Sequence, residues 1–136
     1  MSSRRRCREY VLKALYAYEM GEQSAEEITD SIINAGGLDD KFLDFAVSLF
    51  ETVIENLSTI DHYIETLATN WRLNRIAIVD KNILRIAITE VEHMPDIPIK
   101  VAINEAVELA KKYSTHESAS FVNGILDRVL HEKKNV

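Results

Sequence analysis

The sequence is poor in the residues that interrupt or cross-link a chain. Four glycines and two prolines among 136 residues are too few for a protein built of many hairpins. The single cysteine, Cys7, excludes an intrachain disulfide and fits a reducing compartment, so we expect a cytoplasmic protein. No apolar run approaches about 18 residues, so we expect neither a membrane-spanning helix nor a membrane partner.

Motifs of enzymatic chemistry are also missing. The sequence has no glycine-rich phosphate loop, no nucleophile elbow and no His-Glu-x-x-His pair. The four histidines are scattered, and none stands at metal-ligand spacing from another histidine or from Cys7. Glu105 and Glu108 share a predicted helix, but solvated helix faces carry such pairs constantly, which makes acid–base catalysis a poor explanation. We therefore predict a protein that is not an enzyme and that uses no metal or cofactor.

A helical pattern runs along the whole chain. Apolar residues recur at three- and four-residue spacing, and no convincing strand alternation occurs. With 46% apolar and 28% charged residues, this pattern predicts an all-α protein of about seven helices in a single domain over residues 1–136. We predict helices over residues 9–19, 24–36, 40–57, 58–68, 78–91, 101–113 and 118–129, with a break near 70–74 and a loop at Pro95 and Pro98.

Positive charge is concentrated at the N-terminus of an otherwise acidic chain. Sixteen basic and 22 acidic side chains give a net charge of -6, yet four arginines stand within residues 1–8, at Arg4, Arg5, Arg6 and Arg8. Cations at a helix N-terminus cost a few tenths of a kcal/mol or more each, so a partner explains this arm better than stability does. A nucleic-acid backbone is the partner that such a cluster attracts, and a frayed terminus without a role is the alternative. The same arginines would favour the thiolate of Cys7, but no histidine accompanies it, so an incidental cysteine is the favoured interpretation.

Two further residues depart from the apolar stripes. Tyr16 falls off the stripe of the first helix, where its ring could stack on an unpaired base or pack between helices with its hydroxyl outward. Asp80 interrupts the apolar stripe of the fifth helix, and it either pairs with Arg75 or Arg85 or faces a protein partner. From the residues alone the internal pair is favoured.

Several blocks of this sequence resemble one family over essentially the whole chain. The C-terminal blocks are Pro98-Ile99-Lys100-Val101-Ala102-Ile103-Asn104-Glu105-Ala106-Val107-Glu108-Leu109-Ala110-Lys111-Lys112-Tyr113 and Phe121-Val122-Asn123-Gly124-Ile125-Leu126-Asp127. The N-terminal and central blocks are Arg4-Arg5-Arg6-Cys7-Arg8-Glu9, Ala14-Leu15-Tyr16 and Asp80-Lys81-Asn82-Ile83-Leu84-Arg85-Ile86-Ala87. Together these blocks are similar to those of the NusB transcription antitermination factors.

The resemblance implies an all-helical fold of two packed helical subdomains and a specific set of partners. It implies that the protein joins NusE, a small-subunit ribosomal protein, and that the pair recognises the single-stranded boxA element of nascent RNA. The pair would help to hold an antitermination complex on RNA polymerase and support complete transcription of ribosomal RNA operons. Carried over by position, the RNA-binding residues are Arg4, Arg5, Arg6, Arg8, Tyr16, Glu117, Ser118 and Phe121. Asp80 and Leu84 would face the ribosomal protein, which reverses the internal pair preferred for Asp80.

Two other functions stay open at this point. Similar helical domains precede the catalytic domain of some ribosomal RNA cytosine methyltransferases, so an accessory domain is one alternative. The chain ends at Val136, soon after its last predicted helix, and lacks a βαβ pattern for a methyl-donor site, which we expect to exclude the enzyme itself. The other alternative is a structural role, in which the arm and the apolar helices mediate only homodimerisation. The resemblance implies that such a dimer could form through surfaces that overlap the RNA site.

Overall fold

The computed structural model describes residues 3–68 and 72–134 of the chain. Seven α-helices and no strand lie within these ranges, which confirms the predicted all-α class. They are α1 Arg4–Met20, α2 Ala25–Ile28, α3 Asp40–Glu55, α4 Leu57–Leu67, α5 Ile78–His93, α6 Ile99–Tyr113 and α7 His116–Lys134. Within the same ranges, no helix is both long and apolar enough to cross a membrane.

The helices fall into two compact units, Met1–Glu55 and Asn56–Val136. These units correspond to the two helical subdomains that the resemblance implies. The expectation of a single domain over residues 1–136 stays a prediction, and a single cooperative unfolding transition followed by two probes would support it.

The first unit is built on the packing of α1 against α3. Helix α1 begins at Arg4, five residues earlier than predicted, because the Ser3 side chain accepts a hydrogen bond from the Arg6 backbone N–H at 3.1 Å. It ends at Gly21, whose φ of 76° closes the helix with a bond from its N–H to the Tyr18 carbonyl at 3.0 Å. The buried side chains of α1 and α3 form the core of this unit: Val11, Leu12, Ala14, Leu15, Ala46, Leu49, Phe50 and Val53.

The helix predicted over residues 24–36 is only partly α-helical. Its start is confirmed as a capping box, in which the Ser24 hydroxyl accepts from the Glu27 N–H and the Glu27 carboxylate accepts from the Ser24 N–H, each at 3.1 Å. The backbone then widens into a π-helical turn over Thr29–Ile33 and tightens into a 3-10 turn over Asn34–Gly36. This irregular stretch packs on α1 and determines where Gly36 stands.

The second unit is organised around α5, against which α4, α6 and α7 all pack. Every residue from Asp80 to Glu90 is buried, so the polar members of this run need partners inside the protein. Arg85 donates to both carboxylate oxygens of Asp61 in α4, at 2.7 and 2.8 Å, and to the Asn82 side-chain carbonyl at 2.8 Å. This bidentate pair joins α4 to α5.

The two prolines act as predicted. Helix α5 ends at His93, and α6 begins at Ile99 directly after Pro98, which is its N-cap residue. Of the break predicted near residues 70–74, residues 69–71 lie outside the described part of the chain, and Leu73–Arg75 form a 3-10 turn.

Candidate nucleic-acid interface

Three arginines of the N-terminal arm are exposed on the first turn of α1. Arg4, Arg5 and Arg6 are helical and exposed in this structure. The Arg4 guanidinium lies 4.9 Å from the centre of the Phe45 ring, where a cation–π contact holds it against α3. The arm is therefore an ordered cationic surface on the first unit.

Arg6 shares an aromatic ring with a lysine that the sequence reasoning missed. The Arg6 guanidinium donates to the Tyr10 hydroxyl at 3.2 Å and lies 5.6 Å from that ring's centre, and the hydrogen bond raises the pKa of Arg6. The Lys13 ammonium lies 5.3 Å from the centre of the same ring. Spacing of four and seven residues places Arg6, Tyr10 and Lys13 on one face of a helix, and that spacing was the available signal.

Arg8 does not belong to the exposed arm. Its side chain is buried, with 2% of its surface exposed, and its guanidinium lies 5.8 Å from the centre of the Phe45 ring. The expectation of a direct RNA contact therefore does not fit this position, because α1 turns Arg8 toward the interior. The guanidinium groups of Arg4 and Arg8 both lie against the Phe45 ring, and these contacts join the arm to α3.

Cys7 is also buried, and the neighbouring arginines do not favour its thiolate. Burial raises the pKa of the Cys7 thiol, and the opposing influence of Arg8 and Arg4 is smaller. The Cys7 Sγ donates to the Phe42 backbone carbonyl at 3.3 Å. The thiol is thus a core group of the first unit.

Tyr16 presents an open aromatic surface on α1. Its side chain is 49% exposed, so the alternative of a ring packed between helices does not hold. Met20, one turn further along, is exposed as well. Contact of Tyr16 with a base stays a prediction, for which the required exposure is present.

Four of the predicted site residues line one cavity of the second unit. Asp80, Glu117, Ser118 and Phe121 surround a space of about 380 Å³, together with Arg75, Ile76, Ala77 and Thr115. Asp80 comes from the first turn of α5, whereas the other three come from the start of α7. The structure thus brings three of the eight residues expected to contact RNA close to Asp80, one of the two residues expected to contact protein.

The N-terminus of α7 forms one wall of this cavity. The helix begins at His116, two residues earlier than predicted, because the Thr115 hydroxyl caps it by accepting from the Ser118 N–H at 3.0 Å. The Ser118 hydroxyl accepts from Ser114 and Thr115 at 2.9 and 3.1 Å. These bonds fix the Ser118 side chain at the cavity edge.

Asp80 has neither of the internal partners that the sequence favoured. The Arg85 guanidinium is bound to Asp61 and Asn82 instead, and Arg75 lines the cavity without an ion pair to Asp80. The Asp80 Oδ1 is buried and has no hydrogen-bond partner among the residues that the structure describes. Its position in the first turn of α5 is favourable for a carboxylate, since a helix N-terminus carries partial positive charge.

Leu84 belongs to the core and offers no surface to a partner. It is 0% exposed, because the turn of α5 that carries it is buried on every side. The expectation that Leu84 contacts the ribosomal protein is corrected accordingly. Asp80, one turn earlier, lines the cavity, although its Oδ1 is buried.

The described residues contain no group of three or more histidine, cysteine, aspartate or glutamate side chains placed to hold a metal ion. The exposed groups of the first unit described above are cationic side chains and the Tyr16 ring.

Comparison with known proteins places this arrangement in one family. The NusB family model matches residues 5–131. The chain is 46% identical over 134 residues to the transcription antitermination protein NusB of Chloroherpeton thalassium, an alignment covering 98% of this chain but 64% of that relative. It is also 46% identical over 145 residues to the protein of the same name from Thermodesulfovibrio yellowstonii, covering 96% of this chain and 93% of that relative.

Solved structures agree with this result. The fold is similar to that of T. maritima NusB with a TM-score of 0.90 and 42% identity, over 96% of this chain and 92% of that one. It is also similar, with a TM-score of 0.84, to a chain in a structure of antitermination factors NusB and NusE in complex with double-stranded RNA. At 22% identity over 93% of this chain and 94% of that one, this second likeness concerns the fold alone.

Proposed function

The chain belongs to the NusB family, and from this membership we propose that it is a transcription antitermination factor that binds RNA together with NusE. The RNA is a boxA-type single-stranded element of a nascent transcript. The pair joins the antitermination complex on RNA polymerase and promotes complete transcription of ribosomal RNA operons. This role is one of binding in the cytoplasm rather than of catalysis.

The observation that carries the proposal is the exposed arginine turn of α1. Arg4, Arg5 and Arg6 are solvent-exposed in a chain whose net charge is -6, so this turn is a cationic surface on an acidic protein. Three phosphate contacts give modest affinity with strong salt dependence. The acidic remainder disfavours arbitrary polyanions and favours a basic ribosomal protein.

Tyr16 provides a stacking contact with a base, which phosphate binding alone does not give. Single-stranded RNA is recognised through unpaired bases that stack on aromatic rings, and each such stack contributes about 1–3 kcal/mol. The exposed Tyr16 ring lies on the same helix as the arginines. We propose that the Tyr16 ring stacks on one base of the RNA.

We propose that the RNA and the ribosomal protein meet at the cavity of the second unit. The Asp80 Oδ1 lacks a donor, and the Glu117 carboxylate lines the same space. Two carboxylates repel phosphate and attract N–H donors, so a donor group of the basic partner fits Asp80. Glu117, Ser118 and Phe121 then form a rim that meets the bases of the RNA and not its phosphates, with Phe121 as a second ring.

Fluorescence anisotropy of a labelled boxA-type RNA tests the proposal. The protein is titrated alone and with equimolar ribosomal partner, each against a scrambled RNA of equal length. We expect weak binding by the protein alone and tighter, sequence-selective binding with the partner. Equal affinity for both RNAs in both titrations would contradict the proposal.

Variants separate the two surfaces. Replacing Arg4, Arg5 and Arg6 with Ala removes up to three phosphate contacts, each worth about 0.7 in the slope of log K against log salt, so the loss at 0.1 M salt is on the order of 100-fold. Asp80→Asn keeps the side-chain shape and should weaken the ribosomal partner while binding of RNA by the isolated chain is unchanged. Asp80→Lys should weaken the partner further, and circular dichroism controls for loss of the fold.

A further inference from the structure

We propose that Arg6 and Lys13, arranged around the ring of Tyr10, form a phosphate-binding site that extends the arginine turn along α1. The ligand is a phosphodiester group of the RNA backbone. The proposal rests on the function proposed above and adds two residues to it: Lys13 as a phosphate-contacting residue and Tyr10 as a positioning residue.

The two cations converge on one ring. The Arg6 guanidinium and the Lys13 ammonium lie 5.6 and 5.3 Å from the centre of the Tyr10 ring, and both side chains are exposed. Seven residues of helix separate them by about 10 Å along the axis, so without the ring the two charges would be free to diverge. Cation–π attraction offsets part of their mutual repulsion and keeps both beside Tyr10.

The contacts of both cations are chiefly with the Tyr10 ring, and the attraction of Glu9 for Arg6 is weaker than that of Tyr10. Arg6 has Tyr10 as the hydrogen-bond acceptor of its guanidinium, and Lys13 has the ring contact, whereas neither forms a salt bridge with a described residue. Two cations without a salt bridge on one ring are a place where an anion is attracted in an otherwise acidic protein. A phosphodiester matches both the single charge and the acceptor oxygens that such a pair requires.

The Tyr10 ring is held in place by a contact from elsewhere in the first unit. Its hydroxyl donates to the Gly36 backbone carbonyl at 2.9 Å. A Cβ at Gly36 would lie 2.7 Å from the Tyr10 Cζ and 2.8 Å from Cε1, so only glycine permits the ring to lie there. Tyr10 is therefore a fixed support for Arg6 and Lys13, since it is braced at its far end.

The site continues into the surface already assigned to a base. At about 100° of rotation per residue, Arg6, Lys13 and Tyr16 fall within an arc of about 80° on α1. The exposed Tyr16 ring lies about one turn beyond Lys13. A strand of RNA can thus place a phosphate against these cations and a neighbouring base on Tyr16.

The test measures RNA affinity of the whole chain with its ribosomal partner as a function of salt. We expect Lys13→Gln to reduce the slope of log K against log salt by about 0.7, the value of one single-strand phosphate contact, and affinity at 0.1 M salt about fivefold. Lys100→Gln makes the same charge change at an exposed position of α6, and it should stay within about twofold of the unchanged protein. Equal effects of both substitutions would mean that only net charge matters and would overturn the site.

Tyr10 is tested through its effect on the cations. Tyr10→Leu should lower affinity and flatten the salt dependence in the otherwise unchanged chain, but it should add nothing when Arg6 and Lys13 are already Gln. Tyr10→Phe keeps the ring but loses both hydrogen bonds of the hydroxyl, so its affinity should lie between those of the unchanged chain and Tyr10→Leu. Gly36→Ala, which displaces the ring without touching a charge, should reproduce part of the Tyr10→Leu loss. If Tyr10→Leu lowers RNA affinity as much in the background where Arg6 and Lys13 are Gln as in the unchanged chain, the ring stabilises the fold and does not position the cations.

Failure of this site and failure of the proposed function give different results. If Arg5→Ala weakens boxA binding while Lys13→Gln leaves affinity and slope unchanged, the site is refuted and the function stands. If Lys13→Gln weakens binding to boxA and scrambled RNA alike, and the unchanged protein prefers neither, the phosphate site stands and the proposed function is refuted.

Discussion

Leu84→Ala is expected to destabilise the protein by about 3 kcal/mol and to leave partner affinity unchanged. Leu84 is 0% exposed in α5, so the substitution deletes buried carbon atoms from the best-packed helix of the second unit. Such truncations cost about 2–5 kcal/mol, because the lost burial adds to the cavity left behind. For a chain of 136 residues, 3 kcal/mol corresponds to a fall in Tm of roughly 10 °C.

Thermal and urea unfolding followed by circular dichroism measure the stability change. Val101→Ala is the matched control, since it truncates an exposed apolar side chain and should stay within about 0.5 kcal/mol. Affinity for the ribosomal partner is then measured well below the lowered Tm. A stability change under about 1 kcal/mol combined with a tenfold loss of partner affinity would refute the reasoning, because Leu84 would then be an interface residue as the resemblance implied.

Three further predictions concern the buried polar groups. Because burial raises the pKa of the Cys7 thiol, iodoacetamide should alkylate the native protein roughly 100-fold more slowly than the urea-unfolded chain, and equal rates would contradict a buried thiol. Arg85→Ala leaves the Asp61 carboxylate unpaired, and because Asp61 is 18% exposed the cost should be about 3 kcal/mol, at the low end for a buried pair. Lys111→Ala, which breaks an exposed pair with Glu108, should cost at most about 0.5 kcal/mol in the same urea titration, and equal costs would refute the role of burial. Burial and the neighbouring Glu132 carboxylate raise the pKa of Tyr63 above its usual range. The folded state therefore keeps a proton that the unfolded phenol loses above about pH 10, so stability should fall as pH rises beyond that value, and Tyr63→Phe should reduce the fall.

Sequence patterns predicted those features of the helices that depend on residues close together in the chain. The apolar spacing gave the helical class, the Ser24–Glu27 capping box gave one helix start, and Pro95 with Pro98 gave a loop. The first helix was predicted to begin too late because the arginines disfavour its N-terminus. The Ser3 cap and the ring contacts of Arg4 and Arg6 outweigh that small penalty.

Sequence patterns did not predict contacts between residues that are far apart in the chain. Asp61 and Arg85 stand 24 positions apart, so no spacing rule identifies their pair, and the assignment of Arg85 to Asp80 failed for that reason. The contact of Tyr10 with Gly36 spans 26 positions and depends on the π-helical turn between α2 and α3, which no local signal predicted. Of the site, the exposed arginines and Tyr16 follow from sequence, whereas the burial of Arg8 and Leu84 depends on how the helices turn.

Ordering of the arginine turn by Ser3 has a thermodynamic consequence for any ligand of this surface. Fixing the backbone of one residue costs about 1–2 kcal/mol, so Arg4, Arg5 and Arg6 have lost roughly 3–6 kcal/mol of chain entropy during folding and not during association. Calorimetry of RNA binding should then show a small heat-capacity change, set by the contact area and without the excess that accompanies a segment folding onto its target. Because of the helix cap, the entropy of ordering the arginine turn is lost when the protein folds and not when RNA binds.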